Sequence, residues 1–265
     1  MELEATTFEV KDKVAWITLN RPEAMNSLNA IIRWELSRHW DEVERNDDIW
    51  IAVVTGAGDR AFCAGADLKF RSQESDASPQ QRAEWARMGA ETRGLHERWV
   101  FPKPVIAMIH GHCIGGGLAV ALCADLRYAS PEATFGIPAA RLGVGYDLAG
   151  IAALESVVGP AKAKEILFTA SRYPAEEALT MGLIDRVCPQ AELESFVRHQ
   201  AERIAANAPL TVRSVKLISR ELRRPSAERN LSAVHQAVAD CFASDDFGEG
   251  VRAFLEKRSP VFKGR

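Results

Sequence analysis

The sequence predicts an α/β fold that ends in a helical region, and two patterns support this prediction. The first is a short apolar run at residues 105–109, which follows Pro104 and precedes a glycine turn. Such a run is typical of a strand buried on both faces. The second is an alternation of strand-like and helix-like segments, followed by a last third that is nearly all amphipathic helix. A chain of 265 residues that is 47% hydrophobic can bury one large core, with or without a smaller helical appendage.

Strands are predicted where short apolar or β-branched runs lie between turn residues. These runs fall at residues 8–10, 14–19, 49–55, 105–109, 126–129 and 134–135. The polar stretch at residues 71–81 is predicted to be a mobile loop or lid, and residues 136–147 a glycine-rich loop.

Helices are predicted where apolar residues recur with the helical period behind a capping residue or a proline. They fall at residues 30–44, with Ser27 or Asn29 as the cap, at 81–99, and from Gly159, Pro174, Ala191, Leu210 and Ala227 onward. On the first of them we place Ile31 and Trp34 on the apolar face, and Glu35 and Arg38 on the charged face.

Composition excludes several classes of function. The net charge of −3 gives no bulk basic field for nucleic acid or a membrane surface. The five cysteines are scattered without a metal-binding spacing, so we expect reduced thiols, no metal and a cytoplasmic protein. The N-terminus lacks an apolar signal region, and no stretch approaches the length of a membrane span. The glycine and histidine motifs of dinucleotide-binding proteins, P-loop proteins, serine hydrolases and zinc proteases are missing.

The glycine turn after residue 109 suggests a site for a negatively charged oxygen. Gly115, Gly116 and Gly117 precede a predicted helix that starts near Leu118. The first N–H groups of a helix are unpaired and carry partial positive charge, and glycine leaves room for an acyl oxygen to approach. This arrangement would make half of an oxyanion hole. The alternative is a tight turn where strand and helix pack closely.

Motifs spread along the chain resemble the crotonase family, also called the enoyl-CoA hydratase/isomerase superfamily. They include Asn20-Arg21-Pro22, residues 61–68, residues 103–107, Gly115-Gly116-Gly117, residues 124–127, residues 135–138, residues 159–163, residues 178–185 and residues 254–258. The resemblance implies a spiral of ββα turns with a C-terminal helical region, assembled as a homotrimer or a dimer of trimers. It places the ββα spiral core with the acyl-CoA site at residues 1–200 and the helical trimerisation region at residues 201–265.

The resemblance also implies a chemical device. The backbone N–H groups of Ala66 and Gly116 would bind the thioester oxygen of an acyl-CoA and stabilise an enolate. Coenzyme A would be part of the substrate rather than a tightly bound cofactor. By the same resemblance, residues 64–68, including Ala64, Asp67 and Leu68, would touch its adenine and pantetheine parts. Lys257 is a candidate for its phosphates, as are Arg21 and Lys69, although a solvated surface charge is the competing interpretation for each.

The sequence departs from the family pattern at two positions. The hydratases that resemble it use two glutamates, and here Ala119 and Ala139 stand at those positions. Alanine cannot transfer a proton, so hydration by the two-glutamate mechanism is not expected. Asp147 falls where some relatives place a catalytic aspartate, and Tyr146 where a decarboxylase relative has a carboxylate-binding tyrosine. Asp147 could instead cap the helix that follows.

Other polar residues near these motifs have structural interpretations. His110 and His112 are interpreted as hydrogen-bonded structural histidines, and Cys63 and Cys113 as small buried thiols. Thr92 and His96 fall where the dehalogenase relative carries histidines. Trp85 and Trp99 are predicted to be core residues or walls of the acyl pocket. Arg141 could bind a substrate carboxylate or pair with an acid at a subunit interface.

The sequence therefore predicts an acyl-CoA-processing enzyme with isomerase, hydrolase, decarboxylase or dehalogenase chemistry that uses Asp147. The alternatives are a true enoyl-CoA hydratase with a variant mechanism and a non-catalytic acyl-CoA-binding protein. RNA binding, known for a few relatives, is not favoured because the sequence has no basic stripe.

Overall fold

A computed structural model describes residues 3–73, 76–92 and 101–265, and its strands form two sheets. The larger sheet has six strands in the order β1-β2-β3-β5-β7-β10. The smaller sheet has four strands in the order β4-β6-β8-β9. Alternating strands and helices occupy the first part of the chain and helices the last part, as predicted.

The larger sheet is parallel except for the hairpin at its N-terminal edge. Its strands are β1 (Thr6–Lys11), β2 (Val14–Leu19), β3 (Ile51–Gly56), β5 (Val105–Ile109), β7 (Leu126–Ala129) and β10 (Arg186–Val187). Every residue of β3 is buried, because helices cover both faces of a parallel sheet. The strands predicted at 14–19, 49–55, 105–109 and 126–129 are confirmed within two residues at each end.

The smaller sheet has four short strands, one of which, β6, leads directly into the glycine turn. It contains β4 (Ala61–Cys63), β6 (His112–Ile114), β8 (Thr134–Gly136) and β9 (Tyr173–Pro174). Sequence analysis missed β6, which lies between β5 and the glycine turn, because three residues show no periodicity. The following helix α4 (Gly116–Leu122) starts two residues earlier than predicted.

The first helices confirm the sequence pattern in part. In α1 (Ala30–Arg45) the cap is Asn29, whose Oδ1 accepts from Ile32 N at 3.0 Å. The predicted lid is partly helical, because α2 (Leu68–Gln73) occupies its start and α3 (Pro79–Glu91) begins within it. The end of the helix predicted at 81–99, with His96 and Trp99, lies outside the described residues.

The remaining helices follow β8 in the second half of the chain. They are α5 (Ala139–Leu142), α6 (Leu148–Thr169), α7 (Ala175–Thr180), α8 (Gln190–Ala205), α9 (Pro209–Leu222), α10 (Leu231–Ala243) and α11 (Asp245–Leu255). Residues 136–147, predicted as a loop, contain α5. Helix α6 is kinked at Gly159, where φ is 77°, so the helix predicted from Gly159-Pro160 is its second half.

Two apolar clusters hold the layers together. The larger cluster lies between the two sheets and helices α1, α4 and α6, and the smaller lies between the other face of the larger sheet and α8. The predicted boundary at residue 200 falls within α8, and the division into two regions stays a prediction. No helix in the described ranges combines the length and apolar character needed to cross a membrane.

Candidate active site

The backbone around Ala66 lies beside the glycine turn at Gly116. A Cβ added to Gly116 would lie 3.8 Å from Ala66 N, and a Cβ added to Gly65 would lie 3.4 Å from Gly116 N. Gly65 has φ 96° and Gly115 has φ 55°, conformations that residues with a side chain rarely adopt. The structure therefore brings together the two segments that sequence analysis paired.

The N–H groups of Ala66 and Gly116 are not used by the bridge and the helix that contain these residues. Leu28 forms a parallel bridge with Ala66, in which Leu28 N donates to Gly65 O at 2.7 Å and Asp67 N donates to Leu28 O at 3.1 Å. Because successive amides of an extended chain point to opposite sides, the N–H of Ala66 points away from Leu28. Gly116 is the first residue of α4, so the helix provides no acceptor for its N–H.

Close packing also explains the glycine turn, as the alternative interpretation proposed. A Cβ on Gly117 would lie 2.2 Å from Cys63 O, so α4 can approach β4 only with glycine at this position. Gly115 N donates to Gly136 O at 2.8 Å, which attaches the turn to the end of β8. The turn is therefore held between β4 and β8, which limits the movement of Gly116.

An ion pair holds the segment that follows Ala66. Arg21 Nη1 donates to Asp67 Oδ2 at 3.0 Å and to Ser27 O at 2.9 Å. Asp67 Oδ1 accepts from Phe70 N at 3.0 Å and so starts helix α2. Burial raises the pKa of Asp67, but the bonds from Phe70 and Arg21 outweigh burial and leave this pKa lowered. The interpretation of Arg21 as a solvated surface charge is therefore wrong.

A cavity of about 330 Å³ opens beside Ala66. Its walls come from the residues before and in α1, from α2 and from α3: Leu28, Asn29, Ala30, Arg33, Ala66, Asp67, Phe70, Arg71, Gly89 and Thr92. The Trp85 ring packs on the Phe70 ring with centroids 4.5 Å apart, so Trp85 supports this wall.

Sequence analysis missed Leu28 and Arg33 as residues of this cavity. A helical spacing could have indicated the two arginines of the cavity. Arg33 lies four residues after Asn29, and Arg71 lies four residues after Asp67, so each pair shares one helix face.

Ala119 and Ala139, which replace the two glutamates of the hydratases, lie in helices next to the glycine turn. Ala119 is half-buried in α4, and Ala139 is the half-buried first residue of α5. Pairing of β6 with β8 places the start of α5 beside the turn. Neither position offers a carboxylate, so proton transfer near these positions must use another group.

Asp147 caps helix α6, and Tyr146 packs against the core. Asp147 Oδ1 accepts from Gly150 N at 2.7 Å, so the capping interpretation describes its geometry. Asp147 is exposed, and Tyr146 is half-buried above Gly150. Burial, with a smaller effect of the Asp147 charge, raises the pKa of Tyr146 to about 12, so its hydroxyl is neutral near pH 7. The chemical roles of both residues stay predictions.

The histidines and cysteines near the turn have structural surroundings. His112 Nδ1 lies 2.8 Å from Thr134 Oγ1 across the smaller sheet, as expected of a hydrogen-bonded histidine. His110 is buried, but its Nε2 has no hydrogen-bond partner among the described residues. Burial raises the pKa of Cys63 to about 12 and that of Cys113 well above its usual value, so both are thiols rather than nucleophilic thiolates. The structure confirms Cys63 and Cys113 as buried thiols.

Of the remaining candidates, three are exposed and one is half-buried. Lys69, Arg141 and Lys257 are exposed, and Lys257 has φ 54° just after α11. Thr92, at the end of α3, lines the cavity beside Ala66. The proposed contacts of Lys257 and Lys69 with coenzyme A, and those of Ala64 and Leu68, stay predictions.

Comparison with known proteins decides the family. A family model described as enoyl-CoA hydratase/isomerase matches residues 9–265. The chain belongs to the enoyl-CoA hydratase/isomerase family. The resemblance seen in the sequence is thereby confirmed, and members of this family act on acyl-CoA thioesters.

Curated relatives and solved structures of this family match over nearly the whole chain. (E)-benzylidenesuccinyl-CoA hydratase of Thauera aromatica is 37% identical over 97% of this chain and 98% of its own length. Crotonyl-CoA hydratase of Syntrophomonas wolfei is 36% identical over 99% of both chains. Among solved structures, an enoyl-CoA hydratase from Bacillus anthracis aligns with a TM-score of 0.87 at 32% identity, covering 99% of this chain and 100% of its own. The predicted crotonase-type fold is therefore confirmed.

Proposed function

We propose that this enoyl-CoA hydratase/isomerase family member binds an acyl-CoA and stabilises its thioester enolate with the N–H groups of Ala66 and Gly116. The observation that supports this most strongly is the convergence of these two backbone segments beside an open cavity. An enolate concentrates negative charge on one oxygen. Two preorganised donors, one of them at a helix N-terminus, are suited to that charge.

We propose that the reaction catalysed after enolate formation is not hydration by two glutamates. Ala119 and Ala139 cannot give or take a proton, whereas Asp147 offers a carboxylate in the loop before α6. We therefore favour isomerase, hydrolase, decarboxylase or dehalogenase chemistry, with Asp147 as the proton-transfer group or nucleophile. The neutral hydroxyl of Tyr146 would donate a hydrogen bond to the substrate.

Hydration by a variant mechanism is the second candidate. It is favoured by the names of the relatives, since those from Thauera aromatica and Syntrophomonas wolfei are both hydratases at more than a third identity. In that case a water must be held by groups other than residues 119 and 139.

A panel of acyl-CoA thioesters, incubated in D₂O and analysed by mass spectrometry, tests the proposal. After allowance for incorporated deuterium, gain of water identifies hydration, loss of carbon dioxide decarboxylation, and release of coenzyme A hydrolysis. Exchange of a halogen for hydroxyl identifies dehalogenation, and an otherwise unchanged mass with a shifted double bond identifies isomerisation. Enolate formation predicts deuterium at the α carbon of a bound thioester even where no net turnover occurs. Binding without exchange or turnover across the panel would instead favour a non-catalytic acyl-CoA-binding protein.

Asp147→Asn separates the chemical role of Asp147 from its capping role. Asparagine caps helices about as well as aspartate, so the variant should keep its thermal stability. If Asp147 transfers a proton or attacks the substrate, turnover should fall by roughly 100-fold or more. Full turnover in this variant would remove Asp147 from the mechanism and leave it as a cap.

A further inference from the structure

The cavity beside Ala66 carries two arginines on walls formed by different helices. Arg33 comes from α1 and Arg71 from α2. Both side chains are exposed at the cavity, and neither has a carboxylate partner within the described ranges. The space next to the proposed thioester site is therefore positively charged.

Asp67, the one carboxylate among the lining residues that the structure describes, does not neutralise these arginines. Asp67 already receives a hydrogen bond from Arg21 on one oxygen and one from Phe70 N on the other. A guanidinium in a partly enclosed space gains most from a planar anion that accepts two hydrogen bonds, such as a carboxylate. The charge pattern thus favours a ligand that brings an anionic group into the cavity.

The size and walls of the cavity indicate which part of an acyl-CoA could supply that group. About 330 Å³ lies at the small end of ligand sites and suits an acyl group better than the nucleotide half of coenzyme A. Leu28 and Phe70, the latter backed by Trp85, give an apolar surface for carbon atoms. The cavity thus combines an apolar wall with cationic groups.

We propose that the acyl group of the substrate carries a carboxylate in addition to the thioester, and that Arg33 and Arg71 bind this carboxylate. This inference rests on the proposed acyl-CoA function and names the substrate class for the same site. The remote charge would fix the acyl chain relative to the N–H groups of Ala66 and Gly116. An uncharged acyl group of the same length would lose this anchor.

Binding calorimetry with matched thioesters tests the proposal. The probes are glutaryl-CoA and its near-isosteric neutral counterpart 5-methylhexanoyl-CoA, measured with the wild-type protein and the variants Arg33→Met and Arg71→Met. Hydrogen bonds to charged groups contribute roughly 1.5–3 kcal/mol, so each variant should bind glutaryl-CoA about 10-fold to 100-fold more weakly. Affinity for the neutral thioester should stay unchanged, which also shows that the variants are folded.

Two controls separate a substrate carboxylate from the phosphates of coenzyme A. Glutaryl-pantetheine lacks every phosphate and should show the same loss in both variants. Arg45→Met, on the same helix α1 but outside the cavity, should leave all affinities unchanged. Equal losses for the charged and neutral CoA thioesters, with none for glutaryl-pantetheine, would assign the arginines to the phosphates and overturn the proposal. Unchanged affinities throughout would overturn it as well.

The outcome remains distinct from that of the proposed function. Calorimetry measures binding, whereas enolate stabilisation is measured by deuterium exchange at the α carbon. Selective loss of glutaryl-CoA affinity in a protein that never exchanges this proton would support the inference and contradict the enolate mechanism.

Discussion

At the scale of single residues, Glu35 shows what a sequence pattern can miss. It was placed on the charged face of α1, but only 1% of it is exposed. Its carboxylate accepts hydrogen bonds from Ala5 N and from the Thr6 hydroxyl, and that hydroxyl lies 2.7 Å from His39 Nε2. A buried carboxylate is tolerated when hydrogen bonds satisfy it, and these partners come from the start of β1 and the residue before it, about 30 residues away along the chain. Helical periodicity contains no information about contacts with that distant segment.

His39 makes this cluster sensitive to acid. Burial lowers the pKa of His39 to about 4, from 6.5, although the nearby charge of Glu35 opposes the shift. Between these values the unfolded chain binds more protons than the folded one, so the free energy of unfolding rises with pH over this window. Acidification from pH 7 to pH 4 should therefore cost up to about 3 kcal/mol through His39 alone.

Denaturant unfolding of wild type and His39→Gln at both pH values measures this effect. Glutamine can still donate to the Thr6 hydroxyl but does not titrate. The variant should lose less stability than wild type on acidification. An identical loss in the two proteins would show that other groups cause the acid sensitivity.

At the scale of elements, long apolar runs were predictable and short segments were not. Strand β5 and helix α1 agree with the sequence pattern because each spans enough residues to show its period. Strand β6 and helices α2 and α5 are three, six and four residues long and were missed or read as loops. Contacts with the rest of the chain, such as the pairing of β6 with β4 and β8, determine their structure.

The approach of α4 to β4 gives a prediction about packing. Gly117→Ala would place a Cβ 2.2 Å from Cys63 O, so backbone must move and stability should fall by about 1–3 kcal/mol or more. Gly248→Ala in α11 is the matched control, because its Cβ would meet nothing within 4 Å. That variant should be unchanged or up to about 1 kcal/mol more stable, since alanine favours helix. Thermal unfolding compares the two, and equal stability would contradict the close packing described.

At the scale of the whole molecule, family and fold were both predictable, because the motifs lie along almost the entire chain. The backbone segments at Ala66 and Gly116 lie side by side, as the sequence predicted, and their role as an oxyanion hole stays a prediction. The cavity was not predicted in full. Leu28 lies near Ala66 because the two residues form a β-bridge, and Arg33 lies there because α1 begins just after this bridge. Neither contact is visible in the sequence. The alanines at positions 119 and 139 separate this chain from the two-glutamate pattern.

The most direct test of the account compares Gly116→Pro with Gly116→Ala by the rate of α-proton exchange of a bound acyl-CoA in D₂O. Proline is tolerated at the first position of a helix and removes the N–H, whereas alanine keeps it. Both add a Cβ that meets Leu28 Cδ1 at 3.0 Å, but the proline ring also places Cδ where the amide hydrogen was, so exchange is compared at saturating acyl-CoA to separate blocked binding from the lost donor. Loss of one oxyanion donor should slow exchange by about 100-fold to 1,000-fold in Gly116→Pro relative to Gly116→Ala. Equal exchange rates in the two folded variants would contradict a role for this amide in stabilising the enolate.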